Sequence, residues 1–167
     1  MSGCGNNDFI VRKAKKEDAS KILELIKELA VFEKCPDSVK ISAKQLEEDG
    51  FGEAPAYGCF VAENLSGNII GFALYFPRYS TWYGKTLFLE DLYIKADYRK
   101  NGIGKQLVKE IAKVAKEKSL RRIDFNVLKW NPAKQFYKKL GAVNASENED
   151  FEIYHFYEDA IKSLVQI

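Results

Sequence analysis

Apolar residues along this chain switch period twice, from helical to alternating and back. Ile22, Leu25, Ile26 and Leu29 recur at helical spacing, which predicts a helix entered through residues 14–18 and ending near Phe32. Residues 9–12 ahead of it read as a strand. Ser42 stands at the N-cap position of a second, short helix over residues 42–48, closed by an Asp49-Gly50 turn. The period then falls to two. Residues 57–63, 69–76 and 86–94 are rich in β-branched and aromatic side chains, and Ser66-Gly67-Asn68 suits a hairpin turn, so an antiparallel meander is predicted. Ile103, Leu107, Ile111 and Val114 restore the helical period to about Lys118. The strand expected at 122–128 returns through that helix and must pair in parallel with the strand ending at Ile94. Asn131-Pro132 opens a helix carrying Phe136, Tyr137 and Leu140, and Gly141 ends it. Residues 151–157 read as a last strand, and residues 157–165 as a terminal helix or a tail for a partner. The expected fold class is α/β (α+β): a mixed, mostly antiparallel sheet with a central parallel strand pair, flanked by helices.

A chain of 167 residues with 46% hydrophobic content buries a real core as a single domain, taken as residues 9–167 behind a flexible lead of residues 1–8. No stretch approaches the roughly 18 apolar residues of a membrane span, and the N-terminus lacks a signal peptide's pattern, so a cytoplasmic protein without a membrane partner is expected. Cys4, Cys35 and Cys59 are widely spaced and the chain has one histidine, which argues for reduced thiols and no metal site. That histidine, His155, alternates with Phe151, Ile153 and Tyr157 and reads as packed.

Charge is unevenly spread. Residues 95–139 hold 14 Lys or Arg against 4 Asp or Glu, a net +10 that leaves −8 elsewhere. Such a split suits a protein that holds an anionic cofactor with one part and attracts a cationic substrate with the other. Nucleic acid is the competing partner for the basic segment. Lys105, Lys109, Lys113 and Lys116, however, lie opposite the apolar stripe as a solvated helix face would, so no nucleic acid partner is expected.

The stretch Asp97-Tyr98-Arg99-Lys100-Asn101-Gly102-Ile103-Gly104-Lys105 joins an apolar strand to an amphipathic helix. Two glycines let backbone N–H groups approach an anion, the helix N-terminus adds partial positive charge, and Arg99 and Lys100 add full charges. The spacing fits neither a P-loop nor a dinucleotide fingerprint. A plain glycine turn is the other reading of these residues alone.

Arg99-x-x-Gly102-x-Gly104, between strand and helix, resembles the acetyl-coenzyme A loop of the GCN5-related N-acetyltransferases (GNAT). Residues 9–157 further resemble the diamine and polyamine N-acetyltransferase family, which includes spermidine/spermine N1-acetyltransferases and thialysine Nε-acetyltransferases. The blocks that carry this are Ile26-Lys27-Glu28-Leu29-Ala30, Glu48-Asp49-Gly50-Phe51-Gly52-Glu53, Leu87-Phe88-Leu89-Glu90-Asp91, the loop itself, and Trp130-Asn131 with Phe136-Tyr137-Lys138-Lys139-Leu140-Gly141. The family usually has one more residue between the last two motifs. The resemblance implies the GNAT fold, acetyl-CoA as acetyl donor, a small amine substrate and a homodimer with pockets near the shared surface. It implies cofactor contacts from Leu92, Tyr93, Ile94, Arg99, Lys100, Asn101, Gly102, Ile103, Gly104, Lys105, Asn131, Ala133 and Tyr137.

Amine acetylation requires a neutral nucleophile, and an alkylamine of pKa near 10.4 needs about 4.6 kcal/mol to reach that form at pH 7. By resemblance Glu90 is the general base and Tyr137 the general acid that protonates the leaving thiolate. Strand alternation would point Glu90 and Asp91 to opposite faces. A backbone N–H near Leu92 to Ile94 could stabilise the oxyanion. None of the cysteines neighbours the motif, which disfavours an acyl-cysteine route. The amine pocket implied by resemblance uses Phe32, Glu33, Trp82, Glu90, Asp91, Asp124, Phe125, Asn126 and Glu149. Polyamine-acetylating members tend to have Asp where this chain has Ser80, whereas Ser80-Thr81-Trp82 resembles the thialysine branch. Thialysine or a small diamine is therefore the expected substrate. Spermidine, protein lysine, and a non-catalytic acyl-CoA sensor are the alternatives.

Overall fold

A computed structural model describes residues 8–147 and 155–165, which fall into two compact units, Met1–Asn126 and Val127–Ile167. The first unit runs β1 (Phe9–Lys13), α1 (Ala19–Phe32), α2 (Ala43–Phe51), β2 (Gly58–Asn64), β3 (Ile69–Ser80), β4 (Gly84–Ile94), α3 (Ile103–Glu117) and β5 (Ile123–Asp124). Its sheet has the order β1-β2-β3-β4-β5. Neighbours are antiparallel except β4 and β5, which pair in parallel as the intervening helix requires.

The helical periods place the helices. Ile22, Leu25 and Leu29 of α1 are buried with Cys59, Val61, Phe72, Leu74 and Tyr93, which fixes one face of the sheet as the α1 face. On α3 the buried residues Ile103, Leu107, Ile111 and Ala115 follow every fourth position, and this stripe packs the opposite sheet face. Each such apolar side chain contributes about 1.5–3 kcal/mol on burial. Arg12 ties the first turn to the sheet, donating to both carboxylate oxygens of Asp18 at 2.7 and 3.0 Å and to Glu63 at 2.7 Å.

Several boundaries differ from the sequence reading. Ser42 caps α2 as expected, its Oγ accepting the N–H of Gln45 at 3.1 Å, but the helix continues through Asp49-Gly50 to Phe51. Gly50 serves packing rather than a turn: a Cβ there would lie 2.3 Å from the Tyr57 ring, whose hydroxyl donates to the Leu46 carbonyl. β3 and β4 extend past residues 76 and 86 into a long hairpin, with Ser80 opposite Gly84. The strand expected over 122–128 is confined to Ile123–Asp124, opposite Leu87 and Phe88.

In the second unit, α4 (Ala133–Lys139) ends at Gly141, whose φ of +95° lets the N–H groups of Gly141 and Ala142 turn back to the carbonyls of Lys138 and Tyr137. α5 (Glu158–Leu164) follows a stretch in which residues 155–157 are not strand; the rest of the expected last strand lies outside the described residues. His155 is exposed, not packed, because that strand does not form around it in the described part; its ring stands 5.7 Å from that of Tyr157.

Candidate active site

The residues that resemble a phosphate loop build an open anion cradle. Lys95 N–H donates to Ile70 O at 2.9 Å, anchoring the chain as it leaves β4, and residues 96–98 form a single 3-10 turn. Lys100 and Gly102 then adopt positive φ, +65° and +84°. At Gly102 a Cβ would meet open space, so glycine is required for its backbone angle rather than for room. Gln106 N–H makes the first bond of α3, to Gly102 O at 3.0 Å, and no side chain caps the helix. The N–H groups of Ile103, Gly104 and Lys105 therefore point outward at the positive end of a 15-residue helix. Outward N–H groups at a helix N-terminus form an arrangement suited to an anion.

Arg99 is already engaged. Its Nε donates to Ile94 O at 2.9 Å, and its guanidinium lies 5.1 Å from the Phe32 ring centroid and 5.5 Å from that of Tyr93. The expected phosphate ligand and the expected amine-pocket residue Phe32 thus touch, joined by cation–π contacts. Tyr93 is held from its other end, donating through its hydroxyl to Glu28 at 3.1 Å, and Glu28 in turn pairs with Lys95 at 3.3 Å. Glu28, Tyr93 and Arg99 each fall in blocks or site residues that the resemblance singles out, but the contacts that link them are not visible in the sequence.

β4 carries a bulge at the acidic pair. Leu74 pairs with Asp91 and Tyr75 with Leu89, which leaves Glu90 as the extra residue. Phe88 stacks on Phe76 at 5.3 Å on the α1 face, and Tyr93 is buried on that same face. Counting alternately inward from both, Glu90 and Asp91 lean to one face, not to opposite faces as unbroken alternation would have it. The inserted residue is the physical reason. A parity change records it in the sequence, since Leu87 and Leu89 share a face with Leu92 and Ile94. Glu90 is exposed at the bulge, whereas Asp91 is largely withdrawn from solvent. Burial, with the neighbouring charges of Glu90 and Glu33, pushes the Asp91 carboxyl up to about 7. Glu33, at the C-terminal cap of α1, is also raised by burial. Three expected pocket acids thereby converge beside the loop.

Other expected residues are not brought there. Trp82 sits in the turn of the β3–β4 hairpin, 83% exposed, before β4 begins at Gly84, and the six residue steps of strand from Gly84 to Glu90 span about 20 Å. Ser80 Oγ accepts the N–H groups of Trp82 and Tyr83 at 3.3 Å each, so it shapes that turn. Asp124 is neutralised by Arg122 at 2.7 Å and Arg78 at 3.8 Å and has little charge left for an ammonium. Phe125 is half-buried and Asn126 exposed at the end of the first unit. Among the described residues of the first unit, β4 pairs with β5 only at Leu87 and Phe88, and beyond them, along Leu92 and Tyr93, no further pairing from that unit is made on this side. In the second unit Asn131 Oδ1 accepts the N–H of Ala133 at 2.9 Å and so starts α4, which carries the half-buried Tyr137 against Phe136, ring centroids 5.0 Å apart. Glu149 lies outside the described residues. Among the described residues no cluster suited to a metal ion occurs, and no helix is long and apolar enough to cross a membrane.

Fold and loop together define an acyl-CoA-dependent N-acetyltransferase, and the chain belongs to the acetyltransferase (GNAT) family, whose pattern matches residues 12–142. The family uses acetyl-CoA as acetyl donor. Among its relatives, thialysine Nε-acetyltransferase of Bos taurus is 43% identical over 163 residues, covering 93% of this chain and 96% of that protein. The human spermidine/spermine N(1)-acetyltransferase-like protein 1 is 35% identical over 93% of this chain, which corresponds to 24% of its own length. An integron cassette protein from the mobile metagenome of V. cholerae shares the fold, with a TM-score of 0.75 at 23% identity over 96% of this chain and 99% of that one. The chain is thus an enzyme that transfers acetyl groups to amines.

Proposed function

We propose that this enzyme acetylates the side-chain amine of thialysine or a related small amino acid or diamine. The carrying observation is the use of Ser80. Its hydroxyl is spent on the hairpin turn, where a carboxylate would offer a second cationic subsite, so the acids that converge at the β4 bulge are left as the subsite for one ammonium. A long polycation gains less from such a site. The sulfur near the thialysine amine also lowers the free energy needed to reach its neutral form.

In this reading acetyl-CoA supplies the thioester and the chain orients it: the first-turn N–H groups of α3 with Arg99, Lys100, Asn101 and Lys105 take the phosphates, and the edge of β4 beyond Phe88 takes the pantetheine arm. A carboxylate of the Glu90–Asp91 pair removes the amine proton, an N–H of β4 faces the developing oxyanion, and the Tyr137 hydroxyl protonates the leaving thiolate. Residues 9–167 are read as a single N-acetyltransferase domain, a reading supported by the family match over residues 12–142. We further propose a cytoplasmic homodimer, since Tyr79 and Trp82 are exposed at the hairpin tip and Trp82 lies too far from its own chain's bulge to serve it. Parallel thiol-release assays test the substrate assignment: kcat/KM for thialysine should exceed that for spermidine by about tenfold or more. The reverse order would make the enzyme a polyamine acetyltransferase.

A further inference from the structure

The two acids at the bulge differ in a way the sequence motif does not record. Glu90 is the inserted residue and its side chain is solvated, while Asp91 remains in register with Leu74 and is drawn into the α1 face. The groups around Asp91 on that face can be named element by element. Glu90 adjoins it on β4, Glu33 approaches from the end of α1, and Cys59 lies in the same register across Leu74 on β2. One pleat further along β4 lies Tyr93, with the carboxylate of Glu28 and the cations Lys95 and Arg99 around it; Lys95 pairs with Glu28, and Arg99 donates to the Ile94 carbonyl and lies over the Tyr93 ring. Among the described residues the charges that act on Asp91 are all negative, and no cation or hydrogen-bond donor offsets them. A largely withdrawn carboxylate with only negative neighbours among the described residues is well placed to take up a cation or a proton from an incoming ligand.

Resting on the amine-acetylation reading, we propose that Asp91, in register on the α1 face, rather than the solvated Glu90 of the bulge, receives the proton of the substrate ammonium, with Glu90 acting through Asp91. The ammonium of the incoming amine supplies the missing cation. One N–H bond breaks, its proton forms an O–H bond on Asp91, and the freed nitrogen lone pair attacks the thioester carbonyl. The C–S bond then breaks with its electron pair leaving on sulfur, which takes up a proton as thiol. The second proton lost from nitrogen on amide formation balances that step. The acceptor thus has a proton affinity closer to neutral pH than an ordinary carboxylate would have, which favours base catalysis there.

The test compares pH profiles of kcat/KM for thialysine in Asp91→Asn, Glu90→Gln and the wild type. The wild-type rate should rise with pH through about 7, where free Asp91 ionises. Asp91→Asn should erase that limb and lower kcat/KM at pH 7 by at least about 100-fold, with recovery toward wild type above pH 9, where neutral amine is available. Glu90→Gln should keep the limb and move it to lower pH, because a charge that raises Asp91 is gone. The opposite pattern, a limb lost in Glu90→Gln and kept in Asp91→Asn, overturns the assignment. Carbon-13 NMR of aspartate carboxyls in the substrate-free wild type gives a readout independent of turnover. A resonance titrating near pH 7 that vanishes in Asp91→Asn supports the proposal, and its absence refutes it. Failure of the broader reading looks different: a wild-type enzyme that releases no thiol with any amine.

Discussion

The phosphate loop and the β4 bulge are neighbours in sequence yet work by opposite means. The loop acts through backbone: two positive φ angles and a helix start leave N–H groups turned outward, and a few consecutive residues suffice. The bulge acts through two carboxyl side chains whose chemistry comes from elsewhere, from the register against β3 and from Glu33 at the end of α1. In the proposed reading, local geometry prepares the donor side of the reaction and tertiary packing the acceptor side. Arg99, resting between Phe32 and Tyr93, is where the two meet.

Changes on each side should therefore break different steps. The largest effect is expected from Glu90→Gln combined with Asp91→Asn, which should cut kcat/KM at pH 7 by about 1,000-fold while calorimetry finds acetyl-CoA affinity within about threefold of wild type. Gly102→Val should do the converse. It forces a β-branched residue to φ +84°, and acetyl-CoA affinity should fall about 10- to 100-fold while the Asp91 carboxyl keeps its titration by NMR.

Arg99→Ala should raise KM for both substrates, by about tenfold for acetyl-CoA and less for the amine. Arg99→Lys should not restore either, because a lysine lacks the planar face that lies against two rings. A rise confined to acetyl-CoA would separate the two regions completely. Stability offers a quieter test. Asp91 binds its proton more tightly folded than unfolded, so it stabilises the fold below the ordinary value of 3.8 and that contribution is lost as pH rises toward about 7. Asp91→Asn should consequently raise Tm at pH 8 by at least about 2 °C and leave it unchanged at pH 4. Smallest is Ser80→Asp, which should shift the spermidine-to-thialysine ratio of kcat/KM upward by about threefold, the scale of one exposed ion pair.

Much of this was legible in the residues, for reasons that follow the same division. Ile22, Leu25 and Leu29 announce α1 by spacing alone, Ser42 its cap role by position, and Gly102 the loop by its place between strand and helix. Gly50 misled because a glycine beside Asp reads as a turn when its neighbour in space, Tyr57, is unseen. The strand expected over 122–128 shrinks to Ile123–Asp124, the two residues that pair with β4. The resemblance placed Asp124 in the amine pocket, but its arginine partners come from β3 and from the residue before β5. Glu90 and Asp91 were singled out as chemistry, yet their relative orientation depends on an insertion visible only as the parity change between Leu89 and Leu92. His155 was assigned to a packed strand on alternation alone, which carries no information about a partner strand.

The account rests on the turn after β4 holding the acyl carrier, and calorimetric titration of the folded enzyme with acetyl-CoA tests this most directly. Saturable binding at one site per chain, competed by free coenzyme A, is predicted. An absence of heat and of competition on well-folded protein would contradict it.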